Sequence, residues 1–300
     1  MRLLRLLICL GIVVMVFAAC NPAPLALSED RVQVGATIFP LADFAQRIGG
    51  ERAEVHLMVP PGGDAHDWEP SPGDIVLMER LDILLYNGAG LEHWVDAVVP
   101  TLRNDALISV ETTAGIELLC AGCDKHGEVD PHVWLSPLRA GEQARAVYYA
   151  LVRADPEGKA LYYANLQKLA AEFDALHNAF AEGIAPLPGR DIVVAHAAFG
   201  YLCHEYGLNQ IAVQGFSPHA EPTPAGLAQV IRQTRALNID TIFFETGASD
   251  KVAQAIARET GARTAVLHPL ETLTPAEIAA GECYFSIMYR NLEALKLALG

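Results

Sequence analysis

Five side chains able to donate an electron pair follow short apolar runs in this chain. His196 comes directly after Ile192-Val193-Val194-Ala195, Glu245 after Thr241-Ile242-Phe243-Phe244, and His268 after Thr264-Ala265-Val266-Leu267. His66 lies in the loop behind the apolar stretch 54–59, and His132 in the loop behind 107–110. If those runs are parallel strands, their carboxyl ends open onto the crevice where α/β sheets hold ligands. Three donors then come from the second half of the chain and two from the first, as in a cleft that closes on one ion. Imidazole nitrogens suit zinc; copper, nickel and iron fit them less well, and calcium and magnesium prefer oxygen. A closed zinc site takes four ligands, whereas a catalytic zinc keeps one position for water.

The elements that would carry these donors alternate. Strands are expected at 32–38, 54–59, 83–86 and 107–110, with helices at 41–48, 92–102 and 138–153 and loops at 60–72 and 111–137. A second series has strands at 191–195, 210–213, 241–244 and 264–267, and helices at 199–206, 224–237, 250–260 and 284–299. Such alternation predicts parallel sheets flanked by helices. Between the two series, Tyr162, Leu166, Leu169, Phe173, Leu176 and Phe180 recur at intervals of 4, 3, 4, 3 and 4, the stripe of one long helix. Pro156 suits its start, and Pro186 and Pro188 its end. At about 1.5 Å per residue it would run on the order of 40 Å, enough to lie along two lobes. The expected fold class is α/β: two lobes, each a parallel sheet flanked by helices, joined by a long rigid connector helix. The expected divisions are 32–155 for the first lobe, 156–186 for the connector and 187–300 for the second lobe. A chain of 300 residues with 52% apolar content can fill two cores, since single cores divide above about 250 residues.

The first residues have another purpose. Arg2 and Arg5, an apolar run over 6–17, and Ala18-Ala19-Cys20 have the pattern of an export signal. The run is shorter than the ~20 residues of a membrane span. The cysteine after two alanines resembles a bacterial lipobox, which implies lipid on Cys20, removal of 1–19 and a tether over 20–31. Losing Arg2 and Arg5 moves the formal charge from −15 to −17. That balance argues against nucleic acid, which requires basic patches. Export also places Cys120, Cys123, Cys203 and Cys283 in an oxidising compartment, where an even number can form two disulfides; the sequence does not fix the pairing, and Cys120 with Cys123 and Cys203 with Cys283 is the one expected.

Several segments resemble the cluster A-I, or ZnuA/TroA-like, metal-binding proteins of ABC importers, over nearly the whole mature chain. GGDAHDWEPSPGD (62–74) resembles the first ligand loop and implies His66. DPHVWLSP (130–137) resembles the second and implies His132, and HAAFGYLCHEYGL (196–208) the third, implying His196. GFSPHAEPTPAGL (215–227) and FFETGASDK (243–251) resemble further signatures. The family often places a fourth ligand, an aspartate, after the last strand. Here that stretch reads VLHPLE, so the resemblance implies a fourth histidine, His268, with Glu245 or a water as alternatives. Glu245 is otherwise expected to orient a ligand imidazole through a hydrogen bond. Histidine at 196, where manganese-type members carry a harder oxygen ligand, leans toward zinc.

The resemblance implies capture rather than catalysis: a monomeric extracytoplasmic lipoprotein, in the periplasm or on the outer face of the cytoplasmic membrane, passing Zn2+ to an ABC permease. A manganese, iron or metal-chelate cargo is the alternative within the family. A zinc hydrolase is a reading from outside it, disfavoured by the absence of an HExxH helix and by a filled fourth position. An adhesin is another, for which repeats or a stalk are missing. His126 stands where zinc members often carry a His-rich loop. His219, in the SPHAEP loop, is expected at the surface, as are His56, His93, His177 and His204.

Overall fold

The computed structural model describes residues 27–28, 30–121, 128–218, 222–246 and 250–300. The signal segment, Cys20, most of the tether, Cys123, His126 and His219 lie outside the described residues.

Strand β1 (Val32–Ala36) is buried along its whole length and forms the inside of the first sheet. It is followed by α1 (Phe39–Gly49), β2 (Ala53–Leu57), α2 (Pro72–Met78), β3 (Ile83–Tyr86), the short α3 (Val95–Val98) and β4 (Ile108–Glu111). The strand order is β2-β1-β3-β4, with every pair parallel. A small antiparallel ladder, β5 (Cys120–Ala121) with β6 (Glu128–Val129), interrupts the long loop before α4 (Pro137–Ala154). The long helix α5 (Lys159–Ile184) has 26 residues. The second series is β7 (Asp191–Val194), α6 (Gly200–Tyr206), β8 (Asn209–Ala212), α7 (Pro224–Ala236), β9 (Thr241–Phe244), α8 (Lys251–Thr260), β10 (Arg263–Val266), α9 (Pro275–Ala279) and α10 (Tyr284–Leu299). Its sheet, ordered β10-β9-β7-β8, is parallel throughout.

Four helix starts share one chemical device. Ser71, Ser136, Thr223 and Thr274 each accept a hydrogen bond from a first-turn amide of α2, α4, α7 and α9, and each precedes a proline in that first turn. The side-chain oxygen satisfies an amide that has no partner in the helix, and the proline needs none. At Ser71 and Thr274 the acid three residues on, Asp74 or Glu277, closes a capping box. These two short helices were not expected from hydrophobic periodicity; their signal lies in the caps.

The expected stripe of α5 is its buried face. Tyr162, Leu166, Leu169, Phe173, Leu176 and Phe180 are all buried, and Ile184 extends the row. The helix packs on α1 and α4 beside the first sheet and on α6 and α10 beside the second. One apolar cluster therefore runs from Val34 through Phe44 and Phe173 to Ile192 and Leu295. This shared core holds two sheets in one frame, with their carboxyl ends facing a common space.

One cysteine pairing does not form. Cys203 and Cys283 are both free thiols. Cys203 is buried within α6, while Cys283 caps the start of α10 and meets the Arg47 guanidinium at 4.0 Å. Cys120 is disulfide-bonded.

Candidate metal centre

His66, His132, His196 and Glu271 bring one donor atom each to a common point, all within 4.8 Å of one another. The Nε2 atoms of His66 and His196 each lie 3.3 Å from that of His132. Glu271 Oε1 stands 3.5 Å from all three Nε2 atoms. Five of the six separations are thus 3.3–3.5 Å and the sixth, between His66 and His196, is within 4.8 Å, spacings that let four donors surround one ion at the roughly 2.0–2.2 Å of zinc–nitrogen and zinc–oxygen bonds. His132, His196 and Glu271 are buried, and the His66 side chain is only 10% exposed. Such a dry set of one carboxylate and three imidazoles suits zinc better than calcium or magnesium.

Local turns present the first two imidazoles in the same way. Asp64 Oδ1 accepts the His66 amide at 2.7 Å, and Asp130 Oδ1 accepts the His132 amide at 2.9 Å. An aspartate bonding the amide two residues on is a turn former, so the repeated Asp-x-His spacing is a presentation device. Asp130 also accepts the Nδ1–H of His132 at 2.8 Å. His196 directs its Nδ1–H to Glu245 Oε1 at 2.5 Å. Each carboxylate fixes the proton on Nδ1 and leaves the Nε2 lone pair facing the centre. Glu245 thus stands behind His196 and is not one of the four converging groups.

The electrostatics agree. Burial alone pushes the His196 pKa down, but the Glu245 and Glu271 carboxylates outweigh it and raise it from 6.5 to about 10. His132 is likewise raised, burial being overcome by Asp130 and Glu271. Burial works against ionising Glu271, yet the imidazoles of His132, His196 and His66 hold its carboxyl well below the usual range. The cluster is a buried anionic cradle that retains protons until a cation replaces them. Substituting Glu245→Gln, which keeps the shape but weakens the acceptor, is expected to lower zinc affinity by about 10- to 100-fold, read by competition with a chromophoric chelator. Unchanged affinity would remove Glu245 from the account.

His268 lies outside the converging group, contrary to the expectation of a fourth histidine. Its Nδ1 accepts the Leu270 amide at 2.8 Å. A neutral imidazole has one acceptor nitrogen, so the proton sits on Nε2, which faces Glu277 Oε1 at 3.5 Å. Burial lowers the His268 pKa and keeps the ring neutral. No lone pair is left for a metal. Glu271, three residues further on, takes the fourth corner instead. Its loop is fastened to both halves of the molecule. Trp134 Nε1 donates to Pro269 O at 2.7 Å, Phe39 N to Glu271 O at 2.9 Å and Gly62 N to Leu273 O at 3.0 Å. Asn291 clamps the His268 backbone on both sides, accepting its amide at 2.9 Å and donating to its carbonyl at 2.8 Å.

A family model described as zinc-uptake complex component A, periplasmic (ZnuA), matches residues 34–298. The chain belongs to the ZnuA family. Curated relatives of this ZnuA-family chain include the zinc-binding lipoprotein AdcA of Streptococcus pneumoniae, 33% identical over 280 residues. That match covers 90% of this chain but 56% of the relative, so the chain spans little more than half of AdcA. The high-affinity zinc uptake system protein ZnuA of Bacillus subtilis is 32% identical, with 90% of this chain and 88% of that protein covered. Among solved structures, the Zn(II)-bound ZnuA-like domain of S. pneumoniae AdcA superposes with a TM-score of 0.79 at 34% identity, covering 90% of this chain and 99% of that one. The two-sheet frame with its long helix is thus the ZnuA-type fold.

Proposed function

We propose that this protein captures zinc outside the cytoplasm and hands it to the permease of an ABC importer, held at the membrane by lipid on Cys20. The reading is carried by the converging set of His66, His132, His196 and Glu271, buried between the carboxyl ends of two parallel sheets. Zinc-uptake names among the relatives support the same cargo. Four protein donors fill a tetrahedral shell and leave no place for the water that a zinc hydrolase activates, so capture fits better than catalysis. Among the described residues no helix is long and apolar enough to cross a membrane.

The test is zinc titration against a chromophoric chelator, on protein lacking residues 1–20, at pH 7.5 and pH 5.5. One tightly held zinc per chain is expected at pH 7.5 and clearly weaker binding at pH 5.5. The sign follows from the raised imidazole pKa values: zinc must displace the protons that His132 and His196 hold, and acid returns them. The metal-free protein responds in the opposite sense. Groups with raised folded-state pKa contribute stability that is complete below the unfolded value, 6.5, and is lost as pH rises toward about 10. The gap in melting temperature between zinc-loaded and zinc-free protein should therefore widen from pH 5.5 to pH 7.5. Zinc affinity indifferent to pH would exclude imidazole ligation; no tight zinc at all would exclude the cargo.

A further inference from the structure

The Glu271 carboxylate reaches the centre because the chain reverses shortly after β10, and that reversal is costly. Leu270 has φ 64°, the left-handed region that non-glycine residues rarely enter because Cβ crowds the following carbonyl. It is also fully buried, with 0% exposure, so its side chain cannot relax outward. An interaction must hold the backbone in this conformation, and His268 supplies it. The bond from the Leu270 amide to His268 Nδ1, at 2.8 Å, closes a ring from residue i to residue i+2. Aspartate and asparagine oxygens form the same ring in turns, because Oδ1, like Nδ1, is attached to Cγ. The His268 backbone is immobilised by Asn291, so the imidazole acts from a fixed base. Trp134 holds the Pro269 carbonyl from the other lobe but makes no bond to the Leu270 amide.

We infer that His268 is a positioning residue: it acts as the turn acceptor that fixes Leu270 in the left-handed conformation and so aims Glu271 at the metal. The inference rests on the reading of Glu271 as the fourth zinc ligand. It gives a role to a buried histidine that has no lone pair for the ion. The other nitrogen, Nε2, stands 3.5 Å from Glu277 Oε1 without a hydrogen bond, so the Nδ1 bond is the one that shapes the loop.

The experiment compares His268→Ala and His268→Asn with the parent protein lacking residues 1–20. Zinc affinity is measured by chelator competition, and the visible spectrum of the Co(II)-substituted protein reports the ligand set. His268→Ala should bind zinc about tenfold more weakly, with a loosened Co(II) spectrum. His268→Asn should restore affinity to within about threefold and return the parent spectrum, since asparagine can accept the Leu270 amide but is a poor zinc ligand. Full affinity in His268→Ala would overturn the positioning role. Loss in both variants with well-folded protein would also overturn it. If that loss came with a Co(II) spectrum lacking one nitrogen, His268 would be a direct ligand. Failure of the underlying reading is seen separately, as tight zinc in Glu271→Gln. Should His268→Ala fail to fold, His268→Asn alone decides: parent-like affinity and spectrum support the turn role, and loss of either overturns it.

Discussion

Glu271→Gln is expected to weaken zinc binding by at least about 100-fold, more than the 10- to 100-fold typical of residues that only support a ligand. The substitution preserves volume and one carbonyl oxygen but removes the charge. That charge stands 3.5 Å from each of three imidazole nitrogens in a largely buried site. Neutral imidazoles bring no charge to a doubly charged ion, and burial of such an ion is costly unless anions accompany it. Asp130 and Glu245 supply anions one bond further out, through the rings. Glu271 alone places one on the ion itself. Chelator competition on the purified variant, alongside His268→Ala, separates the two residues: the glutamate substitution should have the larger effect by about tenfold or more. Equal affinities in the parent and Glu271→Gln would mean that the fourth donor is not Glu271.

Much of this arrangement is legible in the sequence, and the part that is not has a physical cause. His66, His132 and His196 can be picked out because parallel strands bring the residues beyond their carboxyl ends to one edge. Glu271 is hidden by the same rule. Reading outward from β10, the first donor met is His268, and nothing in hydrophobic periodicity reveals that the chain turns back at Leu270. The left-handed residue is a leucine rather than a glycine, so the usual marker of such a turn is missing. Asp130 is likewise visible only as part of a motif, although the repeated Asp-x-His spacing at 64–66 and 130–132 carries the signal. The fold is easier. The stripe of α5 and the strand–helix alternation depend on burial, which composition records directly. The helices α2 and α9 are too short for a stripe and are set by their capping boxes. The pairing of Cys203 with Cys283 rests on an even count of cysteines, which says nothing of where two helices put their thiols.

Phe44→Ala is expected to destabilise the zinc-free protein by about 3–5 kcal/mol, the cost of emptying a large buried aromatic site. Phe44 is fully buried where α1, α5 and α10 meet. Its ring stands edge-on to Phe173 at 5.3 Å and to Tyr284 at 5.1 Å. The substitution therefore loses edge-to-face contacts worth about 0.5–1.5 kcal/mol each as well as apolar burial. Collapse into the gap is limited, because the neighbouring rings are braced in turn: Phe173 lies against Phe285, and the Tyr284 hydroxyl donates to Trp134 O at 2.6 Å. Denaturant unfolding with a chelator present measures the loss, and Phe44→Leu should recover most of it. Zinc then tests whether the core and the centre are one cooperative structure. Ligand at about 1,000 times its dissociation constant adds about 4.1 kcal/mol to the folded state, enough to offset most of the Phe44→Ala defect. It can do so only if the four donors survive in place. Phe44 lies on the helix whose first amide, from Phe39, holds the Glu271 carbonyl, so a cavity that let α1 shift would lower zinc affinity too. Rescue of Phe44→Ala by zinc to near-parent stability would mean that the Glu271 loop is held firmly enough by Trp134, Gly62, His268 and Asn291 without the Phe39 amide. Partial rescue would place α1 among the elements that aim it.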